Sequence, residues 1–201
     1  MTTTIAITLA IITGLAALAA ALLLHPATAS AHCDTMDGPA VKDGRTALEE
    51  GNLNIALKWV HADGTEELTR IFDQARAARA LGEAARVVAD QWFLENFVRI
   101  HRAGEGAPYT GIQPSGTAID PRVAAADEAI EVGNLAPLQA LVPAELHDEL
   151  AERFADVLAR KDFNVDDVEA GRSYIEAYVS FFHLAEGEEH GHHGHDEHHA
   201  H

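Results

Sequence analysis

The feature that most constrains this chain is an internal repeat, in which the sequence matches itself without a gap after a shift of 82 positions. Residues 47–53 fall on residues 129–135, and both stretches contain the same Gly-Asn-Leu turn. The match continues to the end of each copy, where His101 falls on His183. A constant offset over this length predicts an internal duplication. Each copy alone would bury little apolar surface, so we expect the two halves to pack around one core.

The spacing of apolar residues is typical of helices, and no stretch alternates with the period of a strand. Alanine and leucine, which favour helix, are the main apolar residues. The sequence therefore predicts an all-α helical bundle built from two tandem halves. Their bounds are about residues 37–103 and 119–187, and a Gly- and Pro-rich linker at residues 104–118 joins them.

Helix ends are marked by the same residue types in both halves. Pro39 and Pro121 fit the first turn of a helix, where a missing N–H costs nothing. Gly51 and Gly133 are placed to end those two helices. We therefore expect equivalent helices to begin and end at equivalent positions in the two halves.

The amino-terminal residues have the composition of a secretory leader. Residues 5–24 form an almost unbroken apolar run, and the small-x-small pattern at residues 29–31 suits signal peptidase. We predict a signal peptide at residues 1–31, cleavage after Ala31, and a secreted or periplasmic protein without a stable membrane span. The run is also long enough to cross a bilayer, so an uncleaved membrane anchor is the alternative.

The charge of the chain excludes some partners and favours others. The formal net charge is −18, and residues 1–31 contain no Asp, Glu, Lys or Arg, so the remainder carries all of it. A nucleic-acid partner would require a basic surface, which the sequence does not contain. Cationic partners, metal ions among them, fit this charge, whereas no protein partner is indicated.

Cleavage after Ala31 would place possible metal ligands at the new amino terminus. The α-amine and imidazole of His32 and the backbone nitrogen and thiol of Cys33 would then lie within two residues. Such a nitrogen and sulfur set suits Cu(II) or Ni(II), whereas Zn(II) would recruit Asp34 or Asp37. Cys33 is the only cysteine, so it cannot form an internal disulfide. The sequence thus predicts metal ligands at His32, Cys33 and Asp37.

A second candidate pair consists of His101 and His183, which occupy equivalent positions near the helix ends of the two halves. Glu105 follows the first histidine by four residues, and Glu186 follows the second by three. These spacings suit a ligand or the partner of a ligand. The alternative is that each histidine belongs to the core and bonds to backbone.

The carboxy-terminal residues 188–201 are the densest source of metal-binding side chains. This tail interleaves its histidines with Glu and Asp, a composition that binds Ni(II), Zn(II) or Cu(II) and cannot build a packed core. We expect it to be disordered without metal. Its candidate ligands are His190, His192, His193, His195, His198, His199 and His201.

Two resemblances accompany these observations. The stretches at residues 32–39, 98–111 and 167–172 resemble an uncharacterised family of secreted bacterial proteins, which implies a secreted module but no activity. The start His32-Cys33-Asp34 is also similar to the nickel hook of nickel-containing superoxide dismutases. That hook has a second cysteine where this chain has Asp37, so the resemblance implies only His32 and Cys33 as ligands.

The leading hypothesis is a secreted or periplasmic protein that captures, buffers or delivers Ni, Cu or Zn. One alternative is a redox metalloenzyme that uses the His-Cys hook. The other is a binding module without metal, in which the helices and a linker loop around Tyr109 recognise an envelope component. No catalytic residue is assigned, because no triad, phosphate-binding loop or dinucleotide pattern is present. The sequence therefore favours binding over catalysis.

Overall fold

The computed structural model describes residues 32–187, which form eight α-helices and no strand. The first half contains α1 (Pro39–Glu50), α2 (Asn54–Leu57), α3 (Thr65–Arg79) and α4 (Glu83–Gly104). The second half contains α5 (Pro121–Val132), α6 (Ala136–Gln139), α7 (His147–Arg160) and α8 (Val168–Glu186). Short 3-10 turns at Ala62–Gly64 and Ala144–Leu146 precede α3 and α7. The predicted all-α fold is confirmed, while the predicted leader and histidine-rich tail lie outside the described residues.

The two halves have corresponding architectures. The bounds of α1, α2 and the first 3-10 turn recur 82 residues later as those of α5, α6 and the second 3-10 turn. Helix α1 packs on α2 and α4, as α5 packs on α6 and α8, and α3 packs on α4 as α7 packs on α8. A duplication would produce this correspondence, and the common descent of the halves stays a prediction.

Both halves contribute to one core. Phe93 and Phe97 of α4 and Phe181 of α8 are fully buried. Across the boundary between the halves, the rings of Trp59 and Tyr178 meet edge to face with their centroids 5.8 Å apart. The contact between Trp59 and Tyr178 therefore buries aromatic surface of each half against the other.

The linker holds the amino-terminal segment, a role that the sequence analysis did not anticipate. The N–H of Met36 donates to the carbonyl of Gln113 at 2.9 Å, and the N–H of Gln113 donates to the carbonyl of Asp34 at 2.8 Å. The Asp37 carboxylate accepts hydrogen bonds from the Ser115 hydroxyl and the Gly116 N–H. Residues 34–37 are therefore fixed against the loop.

No helix within residues 32–187 is long and apolar enough to cross a membrane.

The start of α5 gives a first testable prediction. The Asp120 side chain accepts a hydrogen bond from the backbone N–H of Arg122 at 2.8 Å and so caps the helix. We expect Asp120→Ala to lower the free energy of unfolding by about 1 kcal/mol, because the freed N–H loses its acceptor. Urea unfolding measures the change. Glu128→Ala removes an exposed carboxylate from the same helix, and an equal loss in this control would contradict a capping effect.

Candidate functional site

The polar and charged residues that the described chain buries are confined to residues 32–35 and 101–102. The first group precedes α1, and the second belongs to the last turns of α4. Glu105, which directly follows α4, contacts two members of the second group. We call these residues the buried polar cluster. Burying polar groups costs free energy unless they find partners, so the partners of each member matter.

His32 is tied to the second half of the protein. Its Nε2 lies 2.5 Å from Oδ2 of Asp127 on α5, and the Tyr178 hydroxyl of α8 donates to the other oxygen of that carboxylate at 2.8 Å. The imidazole also stacks on Phe182, with 6.5 Å between the ring centroids. The remaining ring nitrogen, Nδ1, is buried without a hydrogen-bond partner among the described residues.

Cys33 is a buried thiol in a negatively charged environment. Its residue surface is only 5% exposed. Burial and the charges of Glu105, Asp34 and Asp127 raise the pKa of the thiol well above its usual value, and Arg102 opposes them. The thiol is therefore protonated near neutral pH and a weak nucleophile. The carboxylates that oppose a thiolate would favour a cation at the same place.

Arg102 is the cation that balances this part of the cluster. Its Nε lies 3.3 Å from Oδ2 of Asp34, and a terminal nitrogen donates to Oε2 of Glu105 at 2.9 Å. Burial raises the pKa of Asp34 to about 7, although the charge of Arg102 opposes the shift. The other oxygen of Asp34 is buried and has no hydrogen-bond partner within residues 32–187.

His101 has one satisfied nitrogen and one that lacks a hydrogen bond. Its Nδ1 lies 2.7 Å from the carbonyl oxygen of Trp59, and because a carbonyl can only accept, Nδ1 carries the proton. Burial lowers the pKa of the imidazole, while Glu105 and this hydrogen bond oppose the shift. Nε2 of the neutral ring therefore carries a lone pair. The atom that faces it is Oε1 of Glu105, at 3.5 Å.

His101 and Glu105 line a cleft of about 1010 Å³ between the halves. Residues 58–62 form part of its wall in the first half, and residues of α7 and α8 line it from the second half. The wall combines charged, polar and apolar side chains, including Lys58, Trp59, His61, Arg160, Arg172 and Ile175. The unpaired nitrogen of His101 is thus buried at the edge of a space that a ligand can enter.

The other predicted ligands have different surroundings. Asp37 is bound to the linker, and its hydrogen bonds with Ser115 and Gly116 lower its pKa. His183 and Glu186 lie in the last turn of α8, where both interact with other groups, and neither lines the cleft. The Tyr109 hydroxyl donates to Glu95, so this side chain anchors the linker.

Among the predicted ligands, the structure places His101 beside Glu105, whereas His183, the predicted partner of His101, does not line their cleft. Within residues 32–187, no three His, Cys, Asp or Glu side chains are grouped closely enough to hold a metal ion. The amino-terminal candidates His32, Cys33 and Asp37 therefore do not form a complete set of side-chain ligands. Cleavage after Ala31 would add one more possible ligand, the α-amine of His32, which is not a side chain.

Several members of the site were missed in the sequence. Asp127 binds His32 and Tyr178, which lie 95 and 51 positions away along the chain. No local pattern indicates such distant partners. For Arg102 the sequence contains a weak indication, because a charged residue at the end of an apolar helical face requires a partner when it is buried.

Comparison with known families shows the family of the chain but no activity. The family described as "Family of unknown function (DUF6448)" matches residues 37–184, and the chain belongs to it. No curated protein and no solved structure matches the chain. The matched residues contain His101, Glu105 and the whole cleft, whereas His32 and Cys33 precede them. The similarity to a nickel hook stays a prediction.

Proposed function

We propose that this member of the DUF6448 family is a secreted or periplasmic protein that binds a divalent transition metal, Ni, Cu or Zn, and so captures, buffers or delivers it. One observation carries the proposal. Nε2 of His101 and Oε1 of Glu105 face each other at 3.5 Å, and no hydrogen bond joins them. Both atoms carry lone pairs, which attract a positive group, and no such group lies between them.

The separation of the two atoms fits a shared metal ion. Zinc binds imidazole nitrogen and carboxylate oxygen at about 2.0–2.2 Å, and at a tetrahedral angle two such ligands lie about 3.4 Å apart. The observed 3.5 Å is close to that value. Leaving a buried nitrogen without a partner costs about 1–3 kcal/mol, a penalty that a bound ion would remove.

The surroundings hold both groups in a ligating orientation. The Trp59 carbonyl accepts the Nδ1 proton of His101, which is the outer hydrogen bond that usually fixes a metal-binding imidazole. Arg102 binds Oε2 of Glu105 and leaves Oε1 directed at His101. Helix α4 ends at Gly104, so the negative end of its dipole lies beside the pair and favours a cation.

The ends of the chain fit the same role in this proposal. The predicted leader would export the protein, and the histidines of the tail would collect metal at low selectivity, in addition to the more specific body site. The net charge of −18 attracts cations to the whole surface. The His-Cys hook is not the leading site, because Nε2 of His32 binds Asp127 and Cys33 is a buried, protonated thiol.

The cleft supports a second candidate function, a binding module without metal. Its volume of about 1010 Å³ is that of a site for a small organic molecule or a peptide side chain. In this case His101 would donate or accept a hydrogen bond to the ligand instead of binding an ion. Metal analysis separates the two candidates.

Elemental analysis of full-length protein, purified without affinity resin after growth with Ni, Cu and Zn, tests the proposal. We expect about one equivalent of metal in a variant whose seven tail histidines are changed to asparagine, and a large loss when Glu105→Gln is added. His147→Ala removes a histidine that bonds the Val142 carbonyl outside the cleft, and it should change nothing. Less than a tenth of an equivalent in the tail variant would refute metal binding by the body. Intact mass measured on the same sample tests cleavage after Ala31.

A further inference from the structure

We propose that His61 is the third ligand of a metal site in the cleft, with His101 and Glu105, and that this site leaves a coordination position open to a small anion. The inference rests on the proposed function, since it adds a ligand and a ligand class to the same pair. His61 was not a candidate in the sequence, because its place beside the pair arises from the packing of the 3-10 turn on α4.

The position of His61 is fixed by its contact with the end of α4. A Cβ added to Gly104 would lie 3.1 Å from Cγ and 3.2 Å from Cδ2 of the His61 ring. Gly104 stands between His101 and Glu105 in the last turn of that helix. The absence of a side chain there lets the second imidazole lie directly against the turn that carries the other two ligands.

The segment that contains His61 also contacts His101, one member of the His101–Glu105 pair. Its backbone holds His101 through the Trp59 carbonyl, two residues before His61. All three candidate ligands line the cleft. Within the described residues, the His61 ring makes no hydrogen bond, and the residue is exposed. As they stand, the three side chains are not grouped closely enough to hold an ion. The proposed site therefore requires the exposed His61 side chain to rotate about its own bonds and bring a ring nitrogen to the ion while the backbone stays in place.

Two imidazoles and one carboxylate form an established ligand set for metals that react or exchange. Three protein ligands leave the fourth tetrahedral position to water or an added molecule. Two neutral imidazoles and one carboxylate leave a divalent ion with a net charge of about +1. An anion is therefore the favoured fourth ligand, and the cleft of about 1010 Å³ gives it access. The chemical class is a small anionic donor such as a carboxylate or azide.

Cobalt(II) titration of the full chain tests the inference, with the seven tail histidines changed to asparagine so that only the body binds. We expect one bound Co(II) with visible bands, an affinity at least about tenfold lower in His61→Ala, and no change in His147→Ala. Because His61 is exposed, its variant should keep the wild-type circular dichroism and melting temperature. Azide should shift the visible bands of the Co(II) protein by entering the open position.

The outcomes separate this inference from the proposed function. If Glu105→Gln weakens Co(II) binding and His61→Ala does not, the third ligand is refuted and the metal function stands. If neither substitution changes binding, both are refuted. A Co(II) spectrum that azide leaves unchanged would overturn the open position, even with His61 established as a ligand.

Discussion

Gly38→Ala is expected to expose the thiol of Cys33 and to raise its rate of alkylation roughly tenfold or more. A Cβ at this position would lie 2.1 Å from the backbone carbonyl oxygen of His32. The backbone of Gly38, at φ −72° and ψ 159°, is open to any residue, so the clash alone causes the effect. Overpacking of this kind costs about 1–3 kcal/mol, and every 1.4 kcal/mol raises the population of the opened state about tenfold.

The clash acts on the turn that buries the thiol. The Thr35 hydroxyl donates to the same His32 carbonyl at 3.1 Å, and the Gly38 N–H donates to the carbonyl of Thr35 at 2.9 Å. A methyl group at position 38 must push residues 32–35 away from α1. Because this turn buries Cys33, its displacement exposes the thiol. In the wild-type protein the thiol should react slowly, because it is buried and its pKa is raised.

Alkylation kinetics followed by intact mass at about pH 8 measure the effect. Gly106→Ala is the control, since the added Cβ meets nothing within 4 Å while its φ of 68° still strains the loop. It destabilises the chain away from the turn and should leave the thiol rate near the wild-type value. Equal rates in Gly38→Ala and the wild type would show that the turn does not depend on close packing at Gly38.

The sequence predicted the helices because their signals are local. Pro39 and Pro121 begin α1 and α5, and Gly51 and Gly133 end them with φ near 70°, as the glycine pattern indicated. Each of these signals involves residues within one helical turn of the boundary. The linker was predicted at residues 104–118 from its Gly and Pro content, and residues 105–120 connect α4 to α5. The hydrogen bonds of this loop to the amino-terminal segment depend on residues far away in sequence.

The candidate site was predicted only in part for the same reason. The spacing of His101 and Glu105 is a property of one helix turn, and the structure places them together. Nδ1 of His101 binds the Trp59 carbonyl, as the alternative of a core histidine bonded to backbone predicts, while its role as a ligand stays a prediction. That bond spans 42 positions and could not be deduced from spacing. The contact of His61 with Gly104 depends likewise on tertiary packing.

Loss of the Arg102 guanidinium should lower the free energy of unfolding more than the substitutions at Asp120 and Gly38. We expect Arg102→Met to lower the free energy of unfolding by about 3–5 kcal/mol at about pH 8, because it leaves the buried carboxylate of Asp34 and the partly exposed carboxylate of Glu105 without their cation. Arg99→Met is the matched control. Arg99 lies in the same helix, but its pair with Glu67 is exposed and should contribute at most about 1 kcal/mol.

The cost of losing Arg102 should depend on pH in a direction that Asp34 determines. The pKa of Asp34 is about 7 in the folded protein, against an ordinary value of 3.8. Between these values the folded chain holds a proton that the unfolded chain has released, so the contribution of Asp34 to stability falls as pH rises from about 4 to 7. Removing Arg102, which opposes the shift, extends this effect to higher pH. The loss in Arg102→Met should therefore be smaller at about pH 5 than at about pH 8.

A double-mutant cycle with Asp34→Asn tests this account. Adding Asp34→Asn to Arg102→Met should recover part of the lost stability at about pH 8, since one of the two unpaired carboxylates is gone. At about pH 5 the same addition should recover much less, because Asp34 is already protonated there. Urea unfolding of the four proteins, with a chelator present, gives the coupling energy at each pH. An equal cost of Arg102→Met at both pH values would show that Asp34 does not titrate in the cluster, and that Arg102 acts through Glu105 alone.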